Sequence, residues 1–495
     1  MPSFRIAWRI FLVAIFFLSS TGWPESTQAK TTHPVVEDAV IYIEVTSQRG
    51  DWYSPWSRQR TMRSSGSGFL IAPGRILTNA HVVSDARQIL VRRNGSIKPY
   101  FAKVEQIAHD SDLALLTVTD STFSKGVRPL KLGPLPSLRT SVRTYGYPAG
   151  GEKISRTEGV VSRIDFINYL HSGADAHLGI QTDSAINPGN SGGPVVQNDL
   201  VVGVAFQTNT RLNDVGFFIP TTVVKRFLKD IEDGIYHGHP ELGLVVSNLT
   251  NPVYREYLKL STPGGVVVDR VLPESSASGR ILSGDVITSI DGVKIAQDGT
   301  INYKGYRLDF QQIVEEKQVG NKIRVSLFRE GEKKNLTFKL KDYKDSQRLR
   351  TRFDELPSYL IFAGFVFVKL EQEYLNTFGD YWQNAPKKLL YEHFYAPIEQ
   401  RKKPGTGAVV VSRILPHSVN SAYRFRTNLI VGSINGQKIE ALSDIPPALK
   451  NAKGNYHEIE FDGGGFQIVL DRKQADNAHQ EILEVYGITE DRRLP

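Results

Sequence analysis

The stretch Asn187-Pro188-Gly189-Asn190-Ser191-Gly192-Gly193-Pro194 decides how this chain folds and what chemistry it carries. It places one serine inside a turn rich in glycine. Serine is a weak nucleophile until a neighbouring base takes its proton. Two upstream motifs offer the missing parts. Thr78-Asn79-Ala80-His81 follows the apolar Arg75-Ile76-Leu77, and Ser111-Asp112 precedes Leu113-Ala114-Leu115-Leu116. His81 can act as the base because an imidazole titrates near neutrality. Asp112 can hold that imidazole in one tautomer and stabilise its charged form. The glycines allow the backbone N–H groups of Gly189 and Ser191, with Asn190 on the same turn, to converge as an oxyanion hole. Taken singly, each motif reads as a polar residue after a strand, a strand-end cap or a surface turn. Together, in one β-rich region, His81, Asp112 and Ser191 form a candidate catalytic triad.

The order His, Asp, Ser is that of the chymotrypsin-type double barrel, not of subtilisin or the α/β-hydrolases. The surrounding pattern agrees. Short apolar runs at 39–45, 68–71, 88–91, 113–118, 142–145, 159–164, 195–196 and 201–206 are separated by Gly, Pro, Asn and Asp. Such spacing predicts a barrel or sandwich, not βαβ units. One helix is expected at 221–231, with Thr221 near its N-cap and Gly234 just past its end.

Composition narrows the chemistry. The 495 residues suggest about three domains. A formal net charge of +8 on this length, without a block of like charges, calls for no nucleic-acid partner. There is no cysteine, which excludes disulfides, thiolate metal sites and thiol nucleophiles. The nearest histidine pair, His237 and His239, shows no third ligand and reads as solvated, so neither a metal nor another cofactor is expected. A Walker-type phosphate loop is absent, so no use of ATP is expected. At the N-terminus, Arg5 and Arg9 precede the apolar run 10–18, and small residues end at Thr27-Gln28-Ala29. This pattern reads as an export signal cut after Ala29, with an uncleaved anchor as the alternative. No later stretch is long and apolar enough to span a bilayer, and an exported chain without cysteine fits a bacterial periplasm.

The second half contains a repeat. Gly265-Val266-Val267-Val268-Asp269-Arg270-Val271-Leu272-Pro273 returns as Ala408-Val409-Val410-Val411-Ser412-Arg413-Ile414-Leu415-Pro416, and Ser289-Ile290-Asp291-Gly292 returns as Ser433-Ile434-Asn435-Gly436. Two units of this size are two copies of one small domain rather than a solenoid. The pattern of strand, Pro-containing loop, short helix and Asp-Gly hairpin resembles PDZ domains, which add an extended peptide to a sheet edge and capture its carboxylate in a loop. In the first copy that loop matches Glu241-Leu242-Gly243-Leu244, with a helix expected through 310–314; the alternative is a spacer with an empty groove. In the second copy, Ala363-Gly364-Phe365 takes the loop position. An insertion at 370–403 carries Tyr374, Phe378, Tyr381, Trp382, Tyr391, Phe394 and Tyr395. These aromatics suit core filling or a subunit contact. The charged stretch 341–352 reads as a solvated tether.

These motifs resemble the Deg/HtrA family of serine endopeptidases. Tyr145-Gly146-Tyr147-Pro148-Ala149-Gly150-Gly151 and Gly159-Val160-Val161-Ser162-Arg163-Ile164 are similar to the plant-type members and their bacterial relatives. The resemblance implies a mainly β fold: a chymotrypsin-like double β-barrel followed by two PDZ-like α+β domains. The expected boundaries are a signal peptide at 1–29, a trypsin-like protease domain at 30–235, a first PDZ domain at 236–345 and a linker at 346–355. A second PDZ-like domain at 356–475 and a helical tail at 476–495 complete the chain. The resemblance also implies a first substrate pocket lined by Ile186, Val215, Gly216 and Phe217, with Phe218 standing where the family usually has a small residue. It implies a regulatory loop at about 167–177 and a short 49–65 loop whose Trp52, Tyr53 and Trp56 pack on a neighbouring subunit or on their own barrel. The implied partners are unfolded or misfolded polypeptides, peptide C-termini at the first PDZ domain, and copies of the same chain in trimers or multiples of trimers. The contrasting reading is a latent protease acting mainly as a chaperone or scaffold.

Overall fold

The computed structural model describes residues 36–148, 153–208, 216–260, 263–343, 349–399 and 407–494. The expected export signal, part of the 145–151 motif and Val215 lie outside these residues. Alternating apolar residues make half-buried strands, and the first strand shows it: in β1 (Val40–Ser47), Ile41, Ile43 and Val45 face inward. It pairs antiparallel with β2 (Met62–Ala72) from Val40↔Phe69 to Ser47↔Met62. With β3 (Arg75–Thr78), β4 (Ala86–Arg93), β5 (Tyr100–Ala108) and β6 (Leu113–Thr117) they close a barrel in the order β1-β2-β3-β6-β5-β4. A second closed barrel takes β7 (Ser141–Gly146), β8 (Ser155–Asn168), β9 (Ala176–Thr182), β10 (Pro194–Gln197), β11 (Leu200–Thr208) and β12 (Gly216–Pro220) in the order β10-β11-β12-β9-β8-β7. The short helix α1 (Ala80–Val83) follows β3. The longer α2 (Thr221–Asp230) buries Val223, Val224 and Phe227, and Gly234 accepts a φ of +88° just beyond it.

Each PDZ-like unit is an antiparallel sheet. In the first, the strands run in the order Leu244–Asn248, Val266–Val271, Val286–Ile290, Lys322–Arg329, Glu332–Lys339, leaving Leu244–Asn248 as an edge. In both copies the repeated dipeptide makes the hairpin the sequence promised: Asp291 and Gly292, then Asn435 and Gly436, all have positive φ, as a type I′ turn requires. The second copy differs at its edge. The strand equivalent to the first copy's edge, Phe365–Lys369, is already paired with Tyr359–Phe362, which in turn pairs with Arg492–Arg493. The expected helical tail is therefore part of this sheet: its helix spans Arg472–Val485 and the chain then returns as a strand.

The barrels and the first PDZ unit share one continuous apolar core. Within the chain, the aromatics of the 49–65 loop face the second PDZ unit. Trp52 is buried with Tyr359, Ile361 and Tyr374 of the second PDZ unit of the same chain, and Arg413 lies over the Tyr53 ring at 4.4 Å. The insertion's aromatics divide: Tyr374 is buried, fills the core and donates to Asn428 Oδ1, whereas Trp382 stacks on Phe394 with about half its surface exposed.

The end of the stretch expected to be a solvated tether is instead clamped to the two barrels. Arg350 lies between two buried carboxylates, 2.8 Å from Asp175 Oδ1 and 3.8 Å from Asp110 Oδ2, and Thr351 N donates to Ser172 O. Three ionic groups withdrawn from water together are costly to leave unpaired, which is why this segment is fixed. Arg350→Ala strands Asp110 and Asp175 and is expected to cost about 3 kcal/mol in urea unfolding, with faster amide exchange at 169–176. Unchanged stability and exchange would show that the clamp is incidental.

Candidate active site

The three sequence-predicted catalytic residues come from both barrels. Asp112 is buried in the β5–β6 connection at a φ of +50°, and Asn79 Nδ2 holds its carbonyl at 2.8 Å. Both of its carboxylate oxygens are engaged by one residue: Oδ1 accepts from the His81 backbone N–H at 2.8 Å and Oδ2 from His81 Nδ1 at 2.7 Å. That fixes the imidazole's orientation and leaves Nε2 as the nitrogen able to take a proton. Burial disfavours the imidazolium, but the Asp112 charge and hydrogen bond outweigh it and hold His81 above its ordinary value. Burial likewise opposes ionisation of Asp112, and His81 overcomes this to keep the carboxyl below its usual range.

Ser191 is brought against the His81 segment by Ser67, a wholly buried residue of β2 that the motif reading did not single out. Ser67 N donates to Ser191 O at 2.9 Å, Ser67 Oγ donates to Gly189 O at 2.7 Å, and Ser67 O accepts from Thr78 Oγ1 at 2.7 Å. The glycines of the turn are sterically required. A Cβ on Gly192 would lie 2.0 Å from Ser67 O, and one on Gly193 2.0 Å from Tyr145 O. The Asn190 N–H, expected among the oxyanion donors, is spent on Asn187 O at 3.0 Å. Among the described residues, the N–H groups of Gly189 and Ser191 have no protein acceptor. The Ser191 hydroxyl donates to Phe206 O at 3.3 Å, so it turns toward His81 only by rotating about its side-chain bond.

Of the expected pocket residues, Ile186 lies against Gly216, where a Cβ would come within 2.8 Å of Ile186 Cγ1, and Phe217 is buried beside them. Phe218 fills the barrel interior above Gly203. The 167–177 loop is tied to Ser191 from below through Phe206. The Tyr169 hydroxyl donates to Leu178 O, and its ring lies 4.7 Å from that of Phe206, whose carbonyl holds Ser191. A second missed group lies beside His81. The ring of His171 is 6.1 Å from it, contacts His109 Nδ1 through Nε2 at 2.9 Å and stacks on Phe353. Burial pushes His171 down to about 4, so it stays neutral near the triad. Nothing in the sequence links residues 109, 171 and 353; only the clamped 349–355 segment brings them together. In the first PDZ unit, Glu241, Leu242, Gly243 and Leu244 line a cavity of about 290 Å³ with Gln311, Val314, His177 and Arg350. The helix expected there is a single turn, Gln312–Glu315. His239 is buried rather than solvated, while His237 pairs separately with Asp233.

Comparison with known proteins follows the same division. Residues 66–204 match the trypsin-like peptidase domain, and 240–340 and 349–493 each match a PDZ domain. Protease Do-like 2, chloroplastic, of Arabidopsis thaliana is 38% identical over 465 residues, covering 92% of this chain and 74% of that protein. The chain belongs to the Do-like, or HtrA, family of serine proteases. Protease Do-like 4, mitochondrial, of the same plant is 33% identical over 94% of the chain and 87% of its own length. A serine-to-alanine form of the HtrA-type protease AlgW with a decapeptide aligns with a TM-score of 0.50 at 28% identity, covering 61% of this chain and 94% of that one. Among the described residues of this Do-like protease, no helix is long and apolar enough to cross a membrane.

The pH dependence of kcat/KM tests the His81–Asp112 pair. The acid limb is expected to have its midpoint above the ordinary histidine value of about 6.5, since the unprotonated imidazole is the base. Asp112→Asn should move that midpoint down and lower kcat by about 10⁴-fold. A midpoint that stays put in the variant removes Asp112 from this role.

Proposed function

We propose that this chain is an exported, ATP-independent endopeptidase that degrades unfolded or misfolded polypeptides. Ser191 attacks the scissile carbonyl, His81 takes the Ser191 proton and returns it to the leaving amine, and Asp112 steadies the charged imidazole. The N–H groups of Gly189 and Ser191 receive the negative charge that develops on the carbonyl oxygen. Ile186, Gly216 and Phe217, with Val215, form an apolar first pocket suited to small or medium aliphatic side chains. The observation that carries this reading is the double grip of Asp112 on His81, which serves little purpose beyond orienting a base. Export to a periplasm rests on the residue pattern at 1–29; the compared plant relatives are named as chloroplastic and mitochondrial. Assembly into trimers or their multiples follows from the family likeness.

Purified chain should cleave casein while Ser191→Ala, equally folded, does not; equal cleavage by both would sink the proposal. The latent-protease reading has one observation in its favour, the bond of the Ser191 hydroxyl to Phe206 O rather than to His81. A fluorophosphonate label that never reacts with Ser191, even with unfolded substrate present, would support it.

Peptide C-termini are proposed to bind the first PDZ unit, whose Leu244–Asn248 edge is open, and not the second, whose edge is paired. Gly243 adopts a φ of +70°, and a Cβ there would meet Ser275 Cβ at 2.1 Å. Gly243→Ala should therefore weaken binding of a fluorescent hydrophobic C-terminal peptide by about tenfold or more, equivalent to about 1.4 kcal/mol. Binding that survives this change but is lost on altering Gly364 would reverse the assignment.

A further inference from the structure

We propose that His177, His239 and Glu315 form a binding site for a zinc-like divalent ion at the junction of the protease barrels and the first PDZ unit. Each residue comes from a different part of the chain. His177 is in β9, His239 lies in the connection after α2, and Glu315 ends the helical turn beside the peptide groove. One potential ligand atom from each lies within 4.8 Å of the other two. Both histidines are buried, with side chains 3% exposed, and Glu315 is 17% exposed.

The contacts of His239 favour ligation over a simple hydrogen-bonded cluster. His177 Nε2 lies 3.1 Å from the Asp110 carbonyl and His177 Nδ1 lies 2.8 Å from Glu315 Oε2; a neutral ring that donates its Nε2–H to that carbonyl turns an Nδ1 lone pair toward the centre. A ring N–H donated to a carbonyl is the usual outer support of a metal-bound histidine. His239 Nδ1 approaches Glu315 Oε2 at 2.6 Å without hydrogen-bond geometry, and both His239 ring nitrogens are buried without a hydrogen-bond partner. An imidazole is seldom buried with neither nitrogen satisfied. The charge around the centre is also short of cations. Glu315, Asp110 and Asp175 face it or its supports, against Arg226 and Arg350. With both imidazoles neutral, the surplus is negative, and a divalent ion offsets it.

Two imidazoles and a carboxylate suit zinc and leave one tetrahedral position for water or an incoming carboxylate. The three residues line or border the cavity that also holds the Glu241–Leu244 loop. A bound ion would tie β9 to the PDZ helical turn, one ring contact from Tyr169. It would also weaken in acid as the imidazoles protonate.

The test uses the full chain carrying Ser191→Ala, so that it stays intact, stripped with chelator and dialysed against zinc at neutral pH. One tightly held zinc per chain is expected by elemental analysis. His239→Gln, His177→Gln and Glu315→Gln should each weaken its retention by about tenfold or more. X-ray absorption of the zinc-loaded parent, which needs no folding of a variant, should show two imidazoles and oxygen in the first shell. No retained zinc, retention equal in the parent and all three variants, or a first shell without two imidazoles each overturns the site.

Discussion

The site depends on how one barrel is seated on the other, and the buried hydroxyl of Ser67 governs that seating. His81 and Asp112 belong to the first barrel and Ser191 to the second. Their geometry is therefore only as good as the contact between barrels. Ser67 Oγ donates to Gly189 O and accepts from Tyr147 N, while its backbone takes up Ser191 and Thr78. Four groups from both barrels thus meet on one small residue with no exposed surface. A larger side chain has no room, since Gly146 and Gly192 already approach Ser67 to the limit a Cβ would allow. Buried hydrogen bonds of this kind give directionality that apolar packing between barrels lacks.

Charge performs the corresponding task at the edge of the protease. The segment 349–355 could have been a free connection between PDZ units. Instead, Arg350 joins Asp110 to Asp175, Asp354 takes the Asp85 N–H, and Phe353 covers His171. Asp110 and Asp112 are two residues apart and serve opposite neighbours. One faces the clamp and the His177 cluster, the other faces His81. The loop that precedes the nucleophile is consequently held from three sides, by the barrel beneath, the PDZ unit beside it and the strap above.

Much of this was legible in the residues, and the failures have a common cause. The triad motifs are local and chemically unusual, so His81, Asp112 and Ser191 stood out. Strongly alternating strands such as Val40–Ser47 did too, as did the Asp-Gly and Asn-Gly hairpins. Tyr100–Ala108 is hidden in the sequence because Lys103, Glu105 and Gln106 break its alternation, and Ala176–Thr182 because its start overlaps the loop that the family likeness suggests. The tether at 341–352 read as solvated because its charges suggested water; their partners, Asp110 and Asp175, are far away in sequence. His239 reads as solvated for the same reason, although it is buried. Its companions are His177 and Glu315 rather than its neighbour His237, and spacing along the chain carries no record of such a meeting.

The two PDZ units show how similar sequence can be given different work by one added strand. Their repeated strands and hairpins are equivalent, and both retain a glycine in the loop ahead of the edge strand, Gly243 and Gly364. In the second unit, Tyr359–Phe362 occupies the edge, and Gly364 is pressed against Asn420 and Leu415 O. A strand supplied by the same chain faces no loss of translational freedom on pairing, so an external peptide must compete against a far higher effective concentration. The second unit is thereby committed to holding the Trp52 loop and its own termini. The first keeps an open edge whose groove ends on His177 and Arg350, the residues that anchor the loop in front of Ser191. The two units therefore differ in what their edges face, a cavity lined by residues of the second barrel in the first and the chain's own added strand in the second.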